Sequence, residues 1–117
     1  MIKGIGVDLI ELERIERSLK KNKRIVERIL TPAERKVYDH LKQTRRKVEF
    51  LAGRFAAKEA FAKATGKGIG KLSFQHIEIL ADQNGAPKLA VQGYKSDNLF
   101  ISISHSDHYA IAQVVII

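Results

Sequence analysis

The chain has 117 residues, of which 44% are hydrophobic and 29% charged, and it contains no cysteine. That length and balance predict one folded domain over residues 1–117 and exclude a disordered chain. The absence of cysteine excludes a disulfide framework, a cysteine-ligated zinc site and a thiol nucleophile. The formal net charge of +8 favours a polyanionic partner, such as nucleic acid, an anionic membrane surface, an acidic protein or a phosphorylated cofactor.

The first predicted element is a strand over residues 2–10, whose only charged residues are Lys3 and Asp8. An acidic residue near the end of an apolar strand is either solvated at the strand tip or functional. If it is buried, its carboxylate needs a cation or hydrogen-bond donors. Asp8 is therefore a candidate site residue, with both interpretations open. The first apolar segment is too short for a signal peptide and reaches an acidic residue too early. No apolar run is long enough to span a membrane. We therefore expect a cytoplasmic protein.

A strongly basic segment follows over residues 14–28. Five of its basic residues step by three or four positions, which places them on one face if a single helix continues through Asn22. These residues are Arg14, Arg17, Lys21, Arg24 and Arg28. A second basic cluster comprises Lys42, Arg45, Arg46 and Lys47. Such a face is often only solvated, but like charges at neighbouring helical positions cost stability, so an acidic partner helix or an RNA backbone would both fit.

Two helices are predicted next. Thr31–Pro32–Ala33–Glu34 has the pattern of a helix start, with an N-cap, a proline in the first turn and a capping box, and the helix should continue to about His40. The second helix covers residues 49–65, and Gly66 stands where a left-handed C-terminal cap belongs. The glycine-rich residues 66–70 form either a turn or a backbone approach to a ligand. Because they follow a helix, they exclude a Walker or Rossmann phosphate loop.

Four further strands are predicted in the second half of the chain. A hairpin joins residues 74–81 and 88–91 through the turn Asp82–Gly85. Residues 99–104 and 109–117 form two more strands. The last one is apolar on both faces, which is typical of a central strand or of one covered by another subunit. Strand, helices and then strands in this order predict an α+β fold with a largely antiparallel sheet.

Glu59 and Lys63 stand four residues apart within the longest predicted helix, the favoured orientation for a helical ion pair. Taken alone, this pair is ordinary surface electrostatics. His105 likewise stands in a predicted turn, where a histidine needs no functional reason. The significance of all three depends on the segments around them.

Three segments, in this order, resemble signatures of the 4′-phosphopantetheinyl transferases. Residues 4–9, GIGVDL, resemble the first, and residues 53–64 resemble the second, with the spacing aromatic-x-x-Lys-Glu-Ala-x-x-Lys. Residues 101–106, ISISHS, resemble the serine–histidine segment near the carboxyl end of the same family. The chain is similar in length to the short, single-domain type. The resemblance implies that family's fold, in which an antiparallel sheet packs with a long central helix and the sheets meet at a trimer core.

The resemblance also implies an activity and a site. Members of this family move the 4′-phosphopantetheine arm of coenzyme A onto a serine of an acyl carrier protein, require magnesium and release adenosine 3′,5′-bisphosphate. Asp8 and Glu59 match the metal-ligand positions, and with Lys63 they are the implied catalytic residues. Larger members carry a further acid where this chain has Ile10, so water or a phosphate oxygen should complete the metal shell. The implied contacts of coenzyme A are Arg54, Lys58, Lys63, Gly66 and His105.

Lys58 and Lys63 are expected on or near the helix face that carries Glu59, and no side chain is assigned as the general base. The basic segment is implied to dock the acidic carrier protein through Arg14, Arg17, Lys21 and Arg24. Short members of the family are homotrimers with sites between subunits, take part in fatty-acid synthesis, and use neither nucleic acid nor a membrane as a partner. A small basic RNA- or ribosome-associated binding protein is the competing interpretation. That interpretation explains the charge but not the three ordered segments. A third interpretation is a non-catalytic regulator that keeps the coenzyme A site.

Overall fold

The computed structural model describes residues 1–69 and 73–117. The first half of the chain consists of β1 (Gly4–Glu11), α1 (Leu12–Lys21), α2 (Arg24–Ile29), α3 (Pro32–His40) and α4 (Thr44–Thr65). The second half consists of β2 (Ile77–Ala81), β3 (Pro87–Val91), β4 (Leu99–His105) and β5 (Tyr109–Ile116), with short 3-10 turns at Phe74–His76 and Ser96–Asn98.

The strands form two antiparallel sheets. One has three strands in the order β1–β5–β4, and the other is the β2–β3 hairpin. β5 is the central strand of the larger sheet, one of the two arrangements that its apolar residues predicted. The α+β class with an antiparallel sheet and a long helix is confirmed.

Helix α4 lies against β1 at unusually close range because β1 presents glycine to it. A Cβ atom added to Gly6 would lie 2.0 Å from the carbonyl oxygen of Ala60, and one added to Gly4 would lie 2.0 Å from that of Ala64. Only glycine permits such an approach of two backbones. Side chains alternate between the faces of a strand, so Asp8 shares the helix-facing side with both glycines. The GIGVD motif therefore places a carboxylate directly beside α4.

The single basic helix predicted through Asn22 is wrong. Asn22 has an extended backbone, with φ −154°, and ends α1. Its Oδ1 accepts the N–H of Arg24 at 3.0 Å, and such local bonds from a short polar side chain compete with helix continuation. The basic residues are divided between the two helices, and all five are exposed. Arg14, Arg17 and Lys21 lie on α1, and Arg24 and Arg28 lie on α2.

The other helix ends follow local side-chain chemistry. The capping box at the start of α3 is confirmed, with the N–H of Thr31 donating to Glu34 Oε1 at 2.8 Å. Helix α4 begins at Thr44 rather than at Glu49. Glu49 pairs with two arginines one turn earlier, which supports the added first turn. The helix ends with Gly66 at φ 75°, as predicted.

Two strand predictions need correction. Residues 74–76 form a 3-10 turn, so β2 begins only at Ile77. Ser73 Oγ accepts the N–H of Gln75 at 3.0 Å, and this cap stabilises the turn over an extended start. β1 begins at Gly4 rather than at residue 2. In the glycine-rich segment, Gly70 lies outside the described residues.

The face of the three-stranded sheet that points away from α4 is apolar and exposed. It carries Ile5, Val7, Leu9, Phe100, Tyr109 and Ile111. Ile5 and Phe100 lie in one row across the sheet, on either side of Val115. An exposed apolar patch of this kind is typical of an interaction surface. In the part of the chain that the structure describes, no helix has the length and apolar character needed to cross a membrane.

Candidate active site

Asp8, Glu59 and Lys63, which the sequence singled out separately, lie together where β1 meets α4. The Lys63 ammonium lies 2.9 Å from Asp8 Oδ1 and donates to the Val7 carbonyl at 3.0 Å. Glu59 precedes Lys63 by one helical turn and is half-buried. The Lys63 side chain is 54% exposed and that of Asp8 is 15% exposed, so the group is open to solvent on one side.

Both carboxylates line a cavity of about 200 Å³, together with Arg14 and Phe55. Burial and the nearby charge of Asp8 raise the pKa of Glu59, against the opposing charges of Lys63 and Arg14. Burial and the neighbouring carboxylate both disfavour the ionised form of Glu59. A divalent cation placed between the two carboxylates would favour the ionised form.

The donor set fits magnesium. Magnesium binds through one or two carboxylates and fills its remaining positions with water and phosphate oxygens. Among residues 1–69 and 73–117, no three His, Cys, Asp or Glu side chains cluster as a metal site, so a closed protein cage of the zinc or calcium type is not offered there. Ile10, two residues after Asp8, lines the same cavity and supplies no third carboxylate.

Lys58 does not lie on the face that carries Glu59 and Lys63, so that expectation is wrong. Its side chain is fully buried and its ammonium lies 2.6 Å from Glu34 Oε1. Successive residues of an α-helix point about 100° apart, which turns Lys58 into the core while Glu59 faces the cavity. Burial lowers the pKa of Lys58, and the charge of Glu34 opposes this. The Lys58 ammonium is thus enclosed by protein, and its contact with coenzyme A stays a prediction.

His105 and Arg54 lie apart from the carboxylates within one chain. His105 ends β4, at the opposite sheet edge from β1, and its Nδ1 lies 3.7 Å from Glu49 Oε2. The Arg54 guanidinium packs 4.0 Å from the centre of the Phe50 ring. Burial lowers the pKa of Arg54, and the charge of Glu34 opposes this shift. Neither His105 nor Arg54 lines the cavity that holds Asp8 and Glu59.

Glu49 gathers a second group of charges that sequence reasoning missed. Its carboxylate lies 3.3 Å from Arg45 Nε and 3.1 Å from Arg46 Nη1, in addition to His105. Arg45 also donates to the carbonyl of Asp107. Burial alone would raise the pKa of Glu49, but the bond from Arg46, the charge of His105 and the bond from Arg45 together lower it. The spacing of Glu49 after the arginines was the available signal. With two arginines against one glutamate, the cluster carries a net positive charge.

The basic residues of α1 begin at the cavity itself. Arg14 lines it, and Arg17 pairs with Glu13 at 3.6 Å on the exposed side of the helix. Lys21 and Arg24 are also exposed. A negatively charged partner on Arg14 would lie next to the two carboxylates.

Comparisons with known proteins agree along the whole chain. Residues 4–114 match the family model of the 4′-phosphopantetheinyl transferase superfamily. A holo-[acyl-carrier-protein] synthase of Geobacillus sp. is 56% identical over 117 residues, which cover 99% of this chain and 97% of that protein. The crystal structure of a holo-(acyl-carrier-protein) synthase from Bacillus anthracis in complex with CoA (3′,5′-ADP) superposes with a TM-score of 0.88 and 51% identity, over 99% and 96% of the two chains. The Helicobacter pylori enzyme in complex with coenzyme A gives a TM-score of 0.83 and 38% identity, over 97% and 99%.

Proposed function

The chain belongs to the 4′-phosphopantetheinyl transferase superfamily, and from this premise we propose that it acts as a holo-[acyl-carrier-protein] synthase. It transfers the 4′-phosphopantetheine arm of coenzyme A to a serine of an apo-acyl carrier protein. The observation that carries the proposal is the meeting of Asp8, Glu59 and Lys63 at the β1–α4 contact. An RNA-binding protein without catalysis is not favoured, because it needs no paired carboxylates.

In this reaction the serine oxygen bonds to the β-phosphorus of coenzyme A. The bond from that phosphorus to the bridging oxygen breaks, and adenosine 3′,5′-bisphosphate leaves. Asp8 and Glu59 would hold Mg²⁺, which when bound offsets the negative charge that builds on the leaving phosphate. Lys63 can bind the diphosphate of coenzyme A. Its half-exposed ammonium pairs with Asp8 and can turn toward phosphate oxygens. Arg14 adds positive charge at the edge of the cavity.

The serine hydroxyl must lose its proton as the new bond forms. The acceptor is not assigned to one side chain. Glu59 is the candidate organiser of that proton transfer, because it lines the cavity beside Asp8 and a positioned carboxylate can hold a water that accepts a proton.

We further propose that the complete site forms between copies of the chain. His105, Arg54 and Gly66 stay predicted contacts of coenzyme A, yet His105 lies across the sheet from Asp8. The exposed apolar face of the sheet gives a second copy a surface to cover. A homotrimer would bring the His105 cluster of one protomer to the carboxylates of the next. Sedimentation that finds a stable, active monomer would contradict this.

The acidic carrier protein is proposed to dock on Arg14, Arg17, Lys21 and Arg24. Their exposure and their start at the cavity support this placement. A role in fatty-acid synthesis, a cytoplasmic location and a single domain over residues 1–117 stay predictions.

The direct test incubates the chain with coenzyme A, Mg²⁺ and an apo carrier protein, and follows the mass of the carrier. We expect the carrier to gain the phosphopantetheine arm, and the gain to be abolished by a chelator and restored by added Mg²⁺. Glu59→Gln should lose transfer while Asp97→Asn, which changes an exposed carboxylate in a distant turn, should keep it. A carrier of unchanged mass with the wild-type chain would refute the proposed function.

A further inference from the structure

Lys58 stands next to Glu59 in the second motif, yet protein encloses its side chain completely. Its ammonium lies 2.6 Å from Glu34 Oε1, 2.6 Å from the Ile29 carbonyl oxygen and 3.0 Å from the Phe74 carbonyl oxygen. An ammonium has three N–H donors, and these acceptors use all of them. The role of Lys58 therefore lies in the segments that it holds.

Glu34 completes this cluster from the first turn of α3, and its side chain is also fully buried. Its Oε1 accepts the N–H of Thr31 at 2.8 Å, and its Oε2 accepts the N–H of Ile79 at 2.7 Å. The Lys58–Glu34 pair thus joins α4 to the α2–α3 turn and to β2. Such a pair is held in place, because separating the partners would leave an uncompensated charge in the core.

Phe74 connects the cluster to the cavity. Its carbonyl is bound by Lys58, and its ring stacks on Phe55 with the ring centres 5.6 Å apart. Phe55 lines the cavity beside Asp8 and Glu59. One wall of the cavity therefore rests on a residue whose backbone Lys58 fixes.

Lys58 also fixes the orientation of α4 about its axis, and with it the direction in which the Glu59 side chain points. Lys58 and Glu59 are adjacent in one helix and point about 100° apart. A rotation of α4 that moved Glu59 would therefore also pull the Lys58 ammonium from its buried acceptors. The close contact of Gly6 with Ala60 leaves α4 little room to shift toward β1.

We propose that Lys58 is a positioning residue for the transfer reaction. Acting through Phe74 and through the rotation of α4, it holds Phe55 and Glu59 where Mg²⁺ and the diphosphate of coenzyme A bind. The inference rests on the proposed function, and it gives this motif lysine a role without contact to coenzyme A.

The test compares Lys58→Met and Glu34→Gln with the wild-type chain. For each we measure kcat, the KM for coenzyme A, the Mg²⁺ concentration for half-maximal rate, and the melting temperature. For Lys58→Met we expect kcat/KM for coenzyme A to fall roughly 10- to 100-fold, as a misplacement of about 1 Å in a site does. The KM and the half-saturating Mg²⁺ concentration should both rise. Glu34→Gln should shift them in the same direction by less, because the amide oxygen can still accept from Lys58 while the amide nitrogen loses only the bond from Ile79.

Lys36→Met is the control. Lys36 is an exposed lysine on α3, outside both basic clusters and outside the lining of the cavity. This variant should leave both constants unchanged.

A purely stabilising role of Lys58 would overturn the inference. It would lower the melting temperature and the amount of active enzyme but leave the KM and the half-saturating Mg²⁺ concentration unaltered, since neither depends on enzyme concentration. If Lys58→Met does not fold, Glu34→Gln decides in the same way, with shifted constants in support and unshifted ones against. A wild-type chain without transfer would refute the proposed function instead, so the two failures are distinguishable.

Discussion

Helix α4 supplies the lysines of two lysine–carboxylate pairs, whose carboxylates lie on α3 and β1. The two pairs differ chiefly in their exposure to water. Lys58 and Glu34 lie 2.6 Å apart, and both side chains are 0% exposed. Lys63 and Asp8 lie 2.9 Å apart, with 54% and 15% of their side chains exposed. The buried pair has exchanged water for fixed protein partners, whereas the exposed pair can exchange its contacts for those of a ligand. The same residue types therefore do structural work at one position and suit ligand binding at the other.

The largest expected difference between the pairs is in stability. Glu34→Ala leaves the Lys58 ammonium buried without its carboxylate, which should lower the free energy of unfolding by about 3–5 kcal/mol. Asp8→Ala removes a partner from a lysine that water reaches, so it should cost less than about 1 kcal/mol. Urea denaturation of both variants measures the two values. Equal losses would show that burial does not separate the pairs.

Gly6→Ala should weaken the exposed pair through the backbone. The added Cβ would meet the Ala60 carbonyl oxygen at 2.0 Å, and overpacking of this kind costs roughly 1–3 kcal/mol or more. The helix must move away from β1, so the distance between Asp8 and Lys63 should grow and transfer activity should fall in the folded fraction.

Gly53→Ala is the control for this change. Its Cβ would lie 3.2 Å from Ile103 Cγ2, a side-chain contact that can yield. It should keep its transfer activity. Full activity in Gly6→Ala would mean that the close contact of β1 and α4 does not set the site geometry.

Much of the fold and several site residues could be predicted from the sequence, because the local sequence signals agree with the fold. The capping box at Thr31 and the glycine cap at Gly66 act within a few residues, so pattern alone identifies them. The GIGVD motif and the Glu59–Lys63 spacing identified the site residues by resemblance. Their meeting in space depends on the contact of Gly4 and Gly6 with α4, which no local pattern contains.

The remaining features depend on tertiary contacts. The break at Asn22 comes from one side-chain bond that competes with an otherwise helical pattern. The orientation of Lys58 follows from an acceptor on α3, far away in the sequence. The link from Glu49 to His105 joins α4 to β4. Charge spacing along the chain could not distinguish the buried lysine from the exposed one.

A carrier that docks beside the exposed pair should respond to the charge of α1 and α2. Reversing both Arg14 and Arg24 to glutamate should raise the KM for the carrier roughly tenfold, mainly through slower association, and flatten its salt dependence. Lys36→Glu with Lys88→Glu is the matched control, because it lowers the net charge equally at exposed positions on α3 and β3. Unchanged carrier kinetics in the arginine variant would remove these residues from the docking surface.

The smallest expected effect is the contribution of Glu59 to the pH dependence of stability. In metal-free buffer Glu59 has a pKa above that of an unfolded glutamate, because of burial and the charge of Asp8. From about pH 4 upward, Glu59 then binds more protons in the folded chain than in the unfolded chain, so its contribution to the free energy of unfolding falls as the pH rises through that window. Glu59→Gln should lack this contribution in parallel melting curves. Added Mg²⁺ should reverse this contribution, because it binds the ionised carboxylates. A wild-type slope identical to that of Glu59→Gln would show that the folded chain does not shift the titration of Glu59.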